Sequence, residues 1–193
     1  MPKLVDESRI FMVAVDQLMA RGYDGATTRE IAEAAGVNEV TLFRRYGSKA
    51  ALLEQAIASR LADTPLGQLV YTGDLEADLL SIVRAYLLTN EAHGDIIPII
   101  LIEASRHPDL RSSVGVPLGN LQGVVGIIGQ YQAQGRLERE PPLVAISSLL
   151  GPLLISQMLR RASLELEAPP IDPVAHVLAF LRGRERHSRI PRG

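Results

Sequence analysis

Apolar residues recur along this chain at intervals of three and four, the spacing that stacks side chains on one face of an α-helix. Ile10, Ala14 and Leu18 open the pattern, with Phe11, Val15 and Met19 widening the face. They predict a helix from about Asp6 to Arg21 that Gly22 stops. Leu75, Leu79, Ile82, Val83, Tyr86 and Leu87 repeat the pattern in a helix that begins near Asp74 and ends at Gly94. Asp95 is placed to cap the next helix, DIIPIILIEASRH, which tolerates Pro98 in its first turn. Pro108 opens a further helix, bent at Gly115–Pro117, that reaches Gln134 before Gly135 terminates it. Pro141-Pro142 starts a long helix to about Ser163, with a kink expected at Gly151-Pro152. A proline-bearing linker, Leu166 to Ile171, leads to Asp172, which caps the last helix. No segment alternates with the period of two that a half-buried strand requires, so the predicted fold class is all-α.

The stretch Thr27 to Lys49, TTREIAEAAGVNEVTLFRRYGSK, is punctuated more finely than the rest. Thr27 is an N-cap, and Glu30 three residues later completes a capping box. Ile31, Ala32 and Ala35 share a face, and Gly36 ends the helix because glycine takes the left-handed conformation without steric cost. Val37 plugs the turn. Asn38 is a second N-cap, opening a helix that carries Thr41, Leu42, Phe43, Arg44, Arg45 and Tyr46. Two short helices around a glycine turn form a helix-turn-helix, whose second helix fits the DNA major groove. Ile10, Ala14, Leu18, Ile31, Ala35, Val37, Leu42 and Tyr46 make its expected core. Ser48 caps a fourth helix that continues into the rest of the chain.

These residues resemble the DNA-binding motif of the TetR family of transcriptional regulators. The resemblance is carried by Thr27, Arg29-Glu30-Ile31-Ala32, Ala35-Gly36-Val37-Asn38, Thr41-Leu42-Phe43, Tyr46, Ser48-Lys49 and Ala51-Leu52-Leu53, and runs without a gap from about Arg9 to Leu53. Two positions depart from it. The family usually has Tyr where Phe43 stands, so a hydroxyl that often meets a phosphate is missing, and Pro or a polar residue where Gly47 stands. The resemblance implies an N-terminal three-helix helix-turn-helix DNA-binding domain plus a C-terminal helical ligand-binding and dimerisation domain. The expected division is 1–50 for the first, 51–182 for the second, and 183–193 as a disordered basic tail.

Composition narrows the chemistry. The chain has 193 residues, 47% hydrophobic but only 4% aromatic, so its core is built from Leu, Ile, Val and Ala. With no Cys, disulfides, thiolate metal sites and Cys nucleophiles are excluded, which fits a reducing cytoplasm. The N-terminus MPKLVDESRIF lacks the apolar centre of a secretory leader. Two uncharged stretches, Ser112 to Gly135 and Pro141 to Leu159, are interrupted by Gly, Ser, Gln, Asn and Pro. Neither is expected to supply the roughly 20 mainly apolar residues of a membrane span, so no membrane partner is expected.

Net charge is −2, and residues 1–60 balance eight Lys/Arg against eight Asp/Glu. Any DNA-facing charge is therefore local: Arg44, Arg45 and Lys49, at the end of the second motif helix, form the expected patch. Asn38, Glu39, Val40 and Arg44 are the candidates for base edges, with Arg44 able to pair bidentately with guanine. Glu39 is equally an acid favoured by the helix dipole. Thr27, Thr41, Arg45 and Lys49 are phosphate-contact candidates, and Phe43 lies on the same surface. Tyr46, four residues after Leu42, is assigned to the core.

For the C-terminal part, the resemblance implies a ligand cavity between helices and a dimer interface on the last two long helices. Pro141 to Leu159 is apolar on more than one face, more than one monomer core covers. Leu149, Leu153 and Met158, with Val174, Val177, Leu178 and Leu181 from the last helix, are the expected two-fold contact. Tyr86, Ile100, Glu103, Gln122, Val125 and Met158 are the pocket candidates, apolar walls with a few polar groups, and His107 is a weaker one. Glu103 and His107 share a helix face and, with His93 and Asp95, raise a metal site as a minor alternative. No nucleophile motif, phosphate-cradling loop or paired-carboxylate signature appears, so no enzyme, cofactor or metal is expected. The expected protein is a homodimeric, ligand-responsive repressor whose partners are a double-stranded DNA operator and a small-molecule effector. An activator of the same fold, or a helical small-molecule-binding protein without DNA function, remain the alternatives.

Overall fold

A computed structural model describes residues 6–162 and 170–184. Its helices are α1 (Glu7–Gly25), α2 (Thr28–Ala35), α3 (Glu39–Tyr46), α4 (Lys49–Leu61), α5 (Leu75–His93), α6 (Ile96–Arg106), α7 (Gly115–Asn120), α8 (Gln122–Ala133), α9 (Pro142–Arg161) and α10 (Pro173–Arg184). No β-strand element occurs among the described residues. Short polar side chains start these helices, at Ser48 and Asp172 as the sequence predicts. Asp6 accepts from the Arg9 amide at 3.2 Å, Ser48 from Ala51 at 3.1 Å, Asp74 from Ala77 at 3.1 Å and Asp172 from Val174 at 3.0 Å.

Two local expectations change. Asp95 holds the N-cap position of α6 without a side-chain cap hydrogen bond. The single bent helix expected from Pro108 to Gln134 is instead a 3₁₀ turn (Pro108–Val114) followed by α7 and α8. Pro117 supplies no amide donor, and Gly115, Gly119 and Gly123 weaken helix continuity around it. The long helix expected from Pro141-Pro142 is α9, which carries Pro152 inside it as one element. Most of the Leu166–Ile171 linker, and the tail beyond Arg184, lie outside the described residues.

The chain divides into two compact units, Met1–Asp63 with His93–Gly119 and Thr64–Ala92 with Asn120–Gly193. The first has a core larger than three motif helices provide. Ile10, Ala14, Leu18, Ile31, Ala35, Leu42 and Tyr46 are buried as expected, while Val37 is partly buried at its edge. Leu52, Leu53, Ala56, Ile57 and Leu61 from α4, and Ile96, Ile100 and Ala104 from α6, join them. A three-helix head buries too little apolar surface to stand alone, and α4 and α6 supply the rest.

The second unit packs α5, α8, α9 and α10 around Leu79, Ile82, Ile128, Tyr131, Leu149 and Leu153. A deeply buried carboxylate, Asp78, accepts from the Thr72 amide at 3.0 Å, the Thr72 hydroxyl at 2.6 Å and the Tyr131 hydroxyl at 2.5 Å. Burial alone would raise its pKa, but donors from Thr72 and Tyr131 outweigh burial and hold it below the ordinary carboxylate value. The α10 helix is pinned to α9 and its approach: Arg184 donates to Glu140 at 2.7 Å and Ser148 at 2.9 Å, and His176 Nε2 lies 2.6 Å from the Leu149 carbonyl oxygen.

That packing turns part of the predicted dimer contact inward. Leu149, Leu153, Val177 and Leu181 are buried in the second unit's own core. Val174 and Leu178 remain exposed, and Met158 is half-buried. Periodicity showed that α9 and α10 carry more than one apolar face without showing which face turns inward. A correction concerns α9 itself. Its Leu and Ile density outweighs its Ser, Gly and Gln, so by length and composition it suffices to cross a membrane, with mean hydropathy 1.7 and 28% of that window buried. Core helices of soluble proteins meet the same test.

Candidate nucleic-acid interface

Helix α2 starts on Thr27, whose hydroxyl oxygen accepts from the Glu30 amide at 3.2 Å, while the hydroxyl lies 3.0 Å from a Glu30 carboxylate oxygen. Glu30 also meets Arg21, and these bonds, Thr27 first, lower its pKa. Gly36 follows α2 at φ 73°, where any side chain would be strained, and the Val37 amide closes back on the Ala32 carbonyl at 3.0 Å. Asn38 then accepts from the Val40 amide at 2.9 Å and starts α3. This local chemistry aims α3: Leu42 and Tyr46 turn inward, and the opposite side faces solvent.

The predicted contact residues fare differently once partners are known. Glu39 accepts from the Thr28 hydroxyl at 2.6 Å, which ties it back to α2. Asn38 spends its side-chain oxygen on the cap, and Thr41 is half-buried. Arg45 pairs with Glu7 at 2.8 Å, and Glu7 also accepts from the Tyr46 hydroxyl at 3.2 Å. Burial, then Glu7, raises the Tyr46 pKa. Lys49 donates to the Tyr23 carbonyl at 2.7 Å, with its ammonium 3.9 Å from the centre of the Tyr23 ring. Burial pushes its pKa down. The expected patch of three cations therefore separates into a free Arg44 and two tethered neighbours; Arg44 is exposed and makes no ion pair among the described residues. Val40 and Phe43 are exposed by 71% and 48%.

Sequence reasoning missed the residues that do the tethering. Glu7, Thr28 and Tyr23 are remote from α3 in the chain, and no local pattern announces them. A further grip on the same unit comes from α6. Glu103 accepts from the Tyr23 amide at 3.0 Å, and a side chain at Gly22, which sits at φ 69°, would meet the Glu103 carboxylate at 3.1 Å. His107 lies 3.5 Å from Glu103, 3.7 Å from Asp24, and against the Tyr23 ring with centroids 4.7 Å apart. No group of three or more His, Cys, Asp or Glu able to hold a metal occurs among the described residues.

The predicted pocket residues are shared between the two units. Ile100 is core of the first unit and Glu103 is engaged with Tyr23. In the second unit Tyr86 is buried, whereas Gln122 and Val125 lie on the surface. A cavity of about 480 Å³ in that unit is lined instead by Leu87, Glu91, Gln157, Arg160 and Arg161. Met158 is adjacent in sequence but does not line it. Near this cavity in sequence, Thr89 Oγ1, Asn90 Nδ2 and Gln157 Oε1 are buried without hydrogen-bond partners.

Comparison with known proteins agrees with this geometry. Residues 10–56 match the model of the family described as bacterial regulatory proteins, tetR family. The chain is 35% identical over 106 residues to the uncharacterized HTH-type transcriptional regulator YvkB of Bacillus subtilis, covering 55% of this chain and 56% of that one. It thus spans about half the length of that relative. It is 27% identical over 169 residues to the HTH-type regulator Rv1556 of Mycobacterium tuberculosis, covering 87% of this chain and 81% of the other. Among solved structures, a putative tetR-family regulator from Shewanella sp. PV-4 superposes with a TM-score of 0.70 at 24% identity, covering 94% and 98% of the two chains. At that identity the likeness speaks for the fold.

Proposed function

We infer that this chain, a transcriptional regulator of the tetR family carrying a DNA-binding helix-turn-helix, works in the cytoplasm as a homodimeric repressor that a small molecule releases from its operator. The observation that carries the reading is the presentation of α3. Its caps, its turn and its inner face are all engaged, while Val40, Phe43 and Arg44 are left outward on one short helix. A helix held this way suits insertion into a major groove, where its free side chains meet base edges.

Dimerisation is supported by what the second unit leaves uncovered. Val144, Ile155 and Leu159 recur on one side of α9, and Val174 and Leu178, four apart, on one side of α10. A two-fold contact through such helices would double the DNA contacts and set the half-site spacing. Effector release is supported by the cavity between α5 and α9, lined by one leucine and four polar or charged side chains, and by the buried, unpartnered Oε1 of Gln157 in its wall, a lining that suits a polar ligand. A ligand acts by binding the DNA-free arrangement more tightly than the DNA-bound one.

A gel shift with the purified protein on DNA upstream of its own gene, and on neighbouring promoters, tests the reading. A salt-sensitive, sequence-dependent shift is expected. Its absence on all of them would overturn the proposal, and transcription rising on addition of the protein would replace repression with activation.

A further inference from the structure

The outward face of α3 carries few groups able to read a base, and elimination leaves an unusual one. Asn38 spends its side-chain oxygen on its cap, Glu39 accepts from Thr28, and Arg45 pairs with Glu7. Thr41 is half-buried, and Leu42 and Tyr46 are core. What remains is Arg44, with Val40 and Phe43 three apart on the same helix and largely exposed. A β-branched residue is a poor helix former at an exposed position, so folding does not explain Val40. Its setting does not resemble a protein-docking surface either. The neighbouring free group is a cation, and the N-terminal end of α3 carries the positive end of the helix dipole, which together suit a polyanion.

A valine side chain has neither donor nor acceptor, so it can discriminate bases only by apolar contact. In the major groove the apolar group that distinguishes one base is the C5-methyl of thymine. We propose that Val40 reads a thymine methyl in each operator half-site, with Phe43 lending apolar surface beside it and Arg44 supplying the polar contact. The proposal rests on the regulator reading above and adds the base class that this helix selects.

The test starts by selecting bound duplexes from a random pool with the full-length protein. In the enriched duplex each thymine is then replaced singly by deoxyuridine, which removes the methyl and nothing else. One thymine per half-site is expected whose replacement weakens binding roughly fourfold, the worth of one buried methyl-sized group. Val40→Ala protein, altered at an exposed position outside both cores, is expected to bind the thymine and uracil duplexes equally. Enrichment with no methyl-sensitive thymine, or sensitivity that survives Val40→Ala, overturns the proposal alone. Failure to enrich any sequence removes both the proposal and the regulator reading beneath it.

Discussion

The reading face of α3 and the outer faces of α9 and α10 both expose apolar side chains, but in different company. On α3, Val40 and Phe43 stand beside a capping asparagine, a tethered glutamate and a free arginine. On α9 and α10, Val144, Ile155, Leu159, Val174 and Leu178 follow one another along helices that carry no acidic residue. Isolated apolar groups among polar ones suit a groove that offers both methyls and hydrogen-bonding edges. Apolar stripes suit another apolar stripe. Exposure alone does not separate the two surfaces; their neighbours do.

The largest effect should come from breaking the stripe. Val174→Glu with Leu178→Glu would bring like charges together across a two-fold contact, at a cost of several kcal/mol. Sedimentation should then show a monomer, and operator affinity should fall at least about 100-fold. A dimer that persists would move the interface elsewhere. The same charge placed at Val40 should leave the oligomeric state untouched.

Next in size is the clamp that holds the unit bearing the stripe. Asp78→Ala leaves the Thr72 and Tyr131 donors without their buried acceptor and should cost about 3 kcal/mol, read by denaturant unfolding. Because the folded carboxylate titrates below its ordinary value, its contribution is complete above the unfolded pKa of about 4 and drains as pH falls through the lower folded one. Asp78→Ala should therefore flatten the acid limb of the stability curve. An unchanged limb would mean that other carboxylates carry it.

On the reading face, Arg44→Ala should cost about 1–3 kcal/mol on the preferred sequence and little on others. Lys49→Ala should weaken binding uniformly and lower the salt slope by about 1. Titrations at several salt concentrations separate the two, and equal behaviour would contradict the contrast between a free and a tethered cation. The smallest effect is expected at the cap: Asn38→Ala should cost about 1 kcal/mol of stability, seen as a lowered unfolding midpoint.

Much of the first unit was legible because its signals are local. Thr27 and Glu30, Asn38 and Val40, Ser48 and Ala51 meet within three residues, so spacing alone pairs them. The tethers were not legible. Lys49 meets Tyr23 across 26 residues, Tyr46 meets Glu7 across 39, and Glu103 meets Tyr23 across 80. A cation's freedom depends on such partners, which is why Arg44, Arg45 and Lys49 looked alike in the chain.

The sequence by itself determined most of the helices and caps, the glycine turn and the register of α3, since each follows from interactions within one helical turn. Only the tertiary structure decided which apolar faces turn inward. It placed Leu149, Leu153, Val177 and Leu181 in a core and left Val174 and Leu178 outside. It also drew α6, with Ile100 and Glu103, into the first unit. Periodicity records that a helix has an apolar face, whereas the choice among several such faces is made by packing between segments far apart in the chain.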